Sequence, residues 1–129
     1  MEELVLLIGS RRMTYRKELA GLVLAALLVQ PAVAADTEAG EKKFKQLCSS
    51  CHGPAGAGDG PAAAGLNPKP RDLSDAEWQA SVDDEHIRTV ISKGGPAVGL
   101  SPMMTPFGHA LKGEDLENVV AYIRSLADQ

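Results

Sequence analysis

Five consecutive residues, Cys48-Ser49-Ser50-Cys51-His52, put two thiols and an imidazole within reach of one group. Side chains three apart share one side of a helical turn. Such a thiol pair can close a disulfide, hold a soft metal, cycle in redox exchange, or add to two vinyl groups of a macrocycle. Each chemistry demands different surroundings. A thioredoxin-like pair belongs at a strand-to-helix junction, and no strand pattern precedes Cys48. A zinc site needs further Cys or His at ligand spacing, and only His86 and His109 remain. A structural disulfide leaves His52 without a role. C-x-x-C-H is the attachment pattern for c-type haem. Each thiol bonds one vinyl group, the two-residue spacer lets both reach from one turn, and the adjacent His lies under the iron as proximal ligand.

The elements that must hold these residues read as helices. Asp36 or Thr37 caps a helix running to about Leu47, with Gly40, Phe44, Leu47 and Cys48 on one face. From Gly53 to Asp72 the chain is rich in Gly, Pro and Ala, and a loop of that length in a small domain is usually functional. Ser74 and Glu77 form a capping-box pattern for a short helix containing Trp78. Asp83 or Asp84 opens the next helix, with Ile87, Val90 and Ile91 as its stripe and Gly94 as its C-cap. Pro96 to Pro106 is a second loop. The last helix starts near Glu114 and turns Leu116, Val119, Val120, Ile123 and Leu126 inward. No β pattern and no repeat is present, so the expectation is one all-α domain.

The chain of 129 residues opens on a different kind of segment. Arg11, Arg12, Arg16 and Lys17 precede an apolar run from Leu19 to Val29, followed by Ala32-Val33-Ala34. Charged region, short apolar region and A-x-A site, in that order, make a secretory signal peptide. The run is shorter than the roughly 20 residues of a membrane span. The expected division is therefore a signal peptide over 1–35, cleaved near Ala34 or Ala35, and a mature domain over 36–129 in the periplasm. Glu2 and Glu3 are unusual in a signal, and a true start at Met13 would remove them.

From Asp36 onward there are 14 acidic and 9 basic side chains, a formal charge of −5. No basic cluster suggests nucleic acid. An acidic surface favours basic docking patches on protein partners and association that weakens with salt. Both cysteines are spent on the motif, so no N-terminal Cys remains for a lipid anchor. A monomer without a stable membrane anchor is expected. The aromatic residues left are Phe44, Trp78, Phe107 and Tyr122. A domain this small with so few is marginal without help, and a covalently held haem would complete its core.

Over nearly the whole mature length the sequence resembles class I cytochromes c. Gly40 and Phe44 match the Gly-x-x-x-aromatic signature of that family's N-terminal helix, and Tyr122 resembles its partner on the C-terminal helix. The resemblance implies an all-α cytochrome c fold, three to five helices around one covalently bound haem c, acting as a single-electron carrier between redox partner proteins. It also implies a methionine as sixth ligand. Ser101 to Gly108 is similar to the family's axial-methionine segment, where an aromatic follows the ligand by three. Met104 and Phe107 have that offset, which makes Met104 the choice. Thr105 stands where Pro is commoner, and Met103 remains the alternative; His109 and His86 are more remote ones. By the same resemblance the carbonyl of Pro61, after Gly60, would accept from His52. Trp78 and Arg71 would serve the haem propionates. If both axial positions are filled, the iron has no site for a substrate, and the protein is a carrier rather than an enzyme. Two other roles stay open: electron-transfer subunit or dedicated acceptor of a dehydrogenase or reductase, and a ligand-binding or peroxidatic haem protein.

Overall fold

The computed structural model describes residues 34–129, and the signal-peptide reading of 1–35 falls almost entirely outside them. Five helices follow in order among the described residues: α1 Thr37–Leu47, α2 Ser49–His52, α3 Ala76–Ser81, α4 Asp84–Lys93 and α5 Glu114–Ser125. Three short 3-10 turns, Ala63–Gly65, Gly95–Val98 and Leu126–Asp128, punctuate the loops and the C-terminus. No strand occurs among the described residues.

Local chemistry sets each boundary. Asp36 takes the N-cap of α1 and accepts from the N–H groups of Glu38 and Ala39. Asp83 caps α4 through His86 N–H, and Gly94 ends it. Its φ of +83° is one that only glycine adopts cheaply. Gly113 precedes α5 without any side-chain cap. Glu114, Asp115 and Glu117 in the first turn compensate by facing the helix's positive end. The start of α3 differs from the sequence expectation. Asp75, not Ser74, is its N-cap, accepting from Glu77 and Trp78 N–H. Ser74 is engaged instead by Asp72, whose carboxylate accepts from its N–H and its hydroxyl.

The core forms where α1 crosses α5. A Cβ on Gly40 would overlap the Asn118 carbonyl and stand 3.0 Å from Tyr122 Cβ. The bare glycine therefore lets the two backbones touch. One turn later Phe44 packs on Tyr122, ring centroids 5.2 Å apart and tilted by 58°, a favourable aromatic geometry. Val119, Val120, Ile123 and Leu126 join them from the C-terminal side, with Ile87 and Ile91 from α4 and Leu73 and Leu111 from loops. Val90 and Leu116, placed on inward stripes by periodicity, are only half-buried.

Polar contacts tie the helices together across this core. Asn118, 4% exposed, accepts from Asp36 N–H at 2.8 Å, fastening the start of α1 to α5. Lys43 pairs with Asp115 at 2.9 Å. Arg88 on α4 grips Glu117 with Nε and Nη2, the two-pronged geometry that gives arginine–carboxylate pairs their specificity.

Candidate functional site

The attachment motif forms its own turn. α1 ends at Leu47, Cys48 sits at the junction, and α2 carries Cys51 and His52. The following loop wraps back on it. Gly58 N–H donates to His52 O at 2.7 Å, Gly60 N–H to Cys51 O at 3.1 Å, and Ala62 N–H to Ser50 O at 2.9 Å. These bonds satisfy carbonyls that a helix end would otherwise leave open. Both thiols are free and half-buried. Burial, with Cys51 alongside, pushes the Cys48 thiol up to about 11. It is therefore an S–H at neutral pH.

His52 Nδ1 lies 3.0 Å from the carbonyl oxygen of Arg71. A carbonyl can only accept, so Nδ1 carries the proton and Nε2 keeps its lone pair. Burial moves the imidazole below its ordinary value, while the Arg71 bond opposes the shift. A neutral ring with Nε2 free is the form that ligates a metal. Two free cysteine sulfurs beside such a ring make a set that fits covalent haem.

The acceptor differs from the one expected. Pro61 is exposed, and its neighbours Gly60 and Ala62 are spent on the carbonyls of the motif. The 58–62 loop thus bonds the backbone of the turn, while the ring bonds the Arg71 carbonyl. Arg71 reaches the ring through its backbone; its side chain is exposed and stands 4.0 Å from the Asp75 carboxylate.

The remaining candidates lie on three elements. Trp78 is half-buried on α3 and packs against the core. Met104 is half-buried, whereas Met103 is 58% exposed. The Met104 backbone is pinned: its carbonyl accepts from Gly95 N–H at 2.8 Å and its N–H donates to Ser101 O at 3.1 Å. A Cβ on Gly95 would collide with the Ser101 carbonyl. Phe107 N–H bonds Ile91 O at 2.7 Å, anchoring the far side of the methionine loop to α4. His109 is exposed and stacks on Phe107 at 6.5 Å. His86 is half-buried on α4. No group of three or more His, Cys, Asp or Glu suited to a metal ion occurs among the described residues.

The family model for cytochrome c matches residues 37–127. This chain belongs to the cytochrome c family. Its fold is similar to a solved structure titled KustC0563 c-type cytochrome, at a TM-score of 0.56 and 36% identity, covering 67% of this chain and 95% of that one. Over 99 residues it is 33% identical to the quinohemoprotein alcohol dehydrogenase ADH IIB of Pseudomonas putida. That match covers 74% of this chain but 12% of the dehydrogenase. The chain is thus a class I c-type cytochrome, all-α, with a covalently bound haem c and an electron-transfer role. No helix among the described residues is long and apolar enough to cross a membrane.

Sequence reasoning missed two polar residues that tie α3 to α5. Gln79 is 8% exposed and bonds two carbonyls. Arg124 reaches α3 and the start of α4. Neither belongs to an apolar stripe or a motif. The faint signal was Arg124, a charged residue one turn after the inward-facing Val120.

Proposed function

We propose that this cytochrome is a periplasmic single-electron carrier whose iron is held between His52 and Met104, with Cys48 and Cys51 as the thioether residues. The observation that carries the reading is the His52 Nδ1–Arg71 carbonyl bond, which leaves Nε2 as a lone-pair donor beside two free thiols. Haem supplies one-electron redox chemistry, and a His/Met pair raises its potential. The chain's residues hold and orient it. The Arg71 carbonyl fixes the His52 ring, the Gly95 and Ser101 contacts fix the Met104 backbone, and Trp78 would offer its indole N–H to a propionate. His52 and Met104 would hold the iron, and the group so held would supply one-electron exchange rather than substrate chemistry.

The finer parts of the reading come from the sequence. Residues 1–35 would be removed on export, and the mature domain would begin near Asp36. Its acidic surface would meet a basic patch on a redox partner. A second reading is favoured by the likeness to ADH IIB: the dedicated electron acceptor of a dehydrogenase. Co-purification with a stoichiometric catalytic partner would support it.

Optical spectra test the ligand assignment. The oxidised wild-type protein should show the methionine-to-iron band and a low-spin haem. Met104→Ala should abolish the band and Met103→Ala should leave it. Loss of the band only in Met103→Ala would reverse the assignment. Tight CO binding by the reduced protein at neutral pH would overturn the six-coordinate reading.

A further inference from the structure

Among the described residues, the Arg71 carbonyl is the group that hydrogen-bonds the His52 ring, and it lies in a loop. Something must fix that loop. Leu73 N–H donates to Gly56 O at 2.7 Å, and Leu73 O accepts from Gln79 Nε2 at 2.8 Å. Leu73 is therefore bonded at both its N–H and its C=O, two residues from Arg71. The same Gln79 amide donates to Ile123 O on α5 at 2.7 Å. Its oxygen accepts from Arg124 Nη1 at 2.8 Å, so the amide orientation is set by its partners.

Arg124 is itself held by four acceptors. Nη1 donates to Gln79 O as well as Gln79 Oε1, Nη2 donates to Val82 O at 2.8 Å, and Nε donates to Asp84 Oδ1 at 2.7 Å. Two of these are carbonyls at the C-terminal end of α3, which a short helix leaves without partners. A hydrogen-bonded chain thus runs from α5 through Arg124, Gln79 and Leu73 to the segment that presents the Arg71 carbonyl.

We propose that Gln79 and Arg124 are positioning residues for His52, acting through the Arg71 carbonyl to set the strength of the Nδ1–H bond and hence the redox balance of the iron. The proposal rests on His52 as the axial ligand. A firm bond at Nδ1 makes the imidazole a better donor to the metal, and a better donor favours the oxidised iron. Loosening the Leu73 tether should weaken that donor and move the potential upward.

The test uses the haem-loaded protein labelled with nitrogen-15 at histidine. It reads hydrogen exchange of the His52 Nδ1 proton and the reduction potential. Gln79→Glu keeps an oxygen for Arg124 but turns an acceptor toward the carbonyls of Leu73 and Ile123. Exchange should speed up about tenfold, equivalent to about 1.4 kcal/mol, and the potential should rise. Arg124→Lys should shift both the same way by less, since an ammonium cannot span four acceptors. If Gln79→Glu does not fold, Gln79→Met carries the test. Arg88→Met is the control. It breaks the Glu117 pair between α4 and α5 without touching the 71–73 segment, and should lower Tm with both readouts unmoved. Lowered Tm with wild-type exchange and potential in the Gln79 and Arg124 variants would overturn the proposal. So would equal changes in Arg88→Met. Wild-type spectra without haem-shifted His52 ring resonances would overturn the ligand assignment and this proposal together; shifted resonances with unmoved readouts would overturn this proposal alone.

Discussion

Asp75 begins the helix that carries Trp78, accepting from Glu77 N–H at 2.9 Å and Trp78 N–H at 3.3 Å. With only six residues, α3 has little stability of its own. Asp75→Ala should cost about 1 kcal/mol and lower Tm by about 4–8 °C in a calorimetric melt. Ser74→Ala should cost less, because Ser74 serves only the turn made with Asp72. The capping-box pattern pointed one residue too early because Ser74 and Asp75 are both good caps, and sequence spacing alone does not say that the Ser74 hydroxyl is already engaged by Asp72. The attachment pattern of Cys48, Cys51 and His52 could be read from the sequence because the order of its residues is dictated by covalent reach. The acceptor of the His52 proton was not, because a backbone carbonyl carries no side-chain signature.

Between elements, the decisive contact is the crossing of α1 and α5. Gly40→Ala would drive a methyl into the Asn118 carbonyl, and backbone cannot swing aside as a side chain can. The cost should be about 1–3 kcal/mol, read as a lower denaturant midpoint at unchanged slope. Asn118→Ala should add loss of the Asp36 bond. Because the two residues touch, a double-mutant cycle should show their effects to be non-additive. The helices, their order and this aromatic–glycine seam were readable from periodicity and turn residues. Asn118, Gln79 and Arg124 were not. Their polar side chains carry no apolar signal, and only the folded arrangement brings each to its partners.

For the whole molecule, the few buried aromatics set a limit on what the polypeptide can do alone. Phe44 is the only phenylalanine in the buried cluster, and Trp78 and Phe107 are partly exposed at its edge. Burial of this extent leaves a domain of this size near the margin. A doubly substituted Cys48→Ala, Cys51→Ala chain should therefore lose covalent haem and show much reduced helical far-UV circular dichroism at 25 °C. A fully helical, cooperatively melting apo-chain would contradict this.

The bond from Asp36 to Asn118 joins residues 82 apart, so the first helix finds its main partner almost at the end of the chain. A polypeptide emerging N-terminus first presents Cys48 and Cys51 long before Val119 and Tyr122 exist to pack against Phe44. During that interval the closure of so long a loop is impossible, and the thiols stand on an open strand of chain. On the proposed route of export, haem would therefore meet Cys48 and Cys51 on an open chain, and the attached group would already be in place when α5 arrives to complete the core.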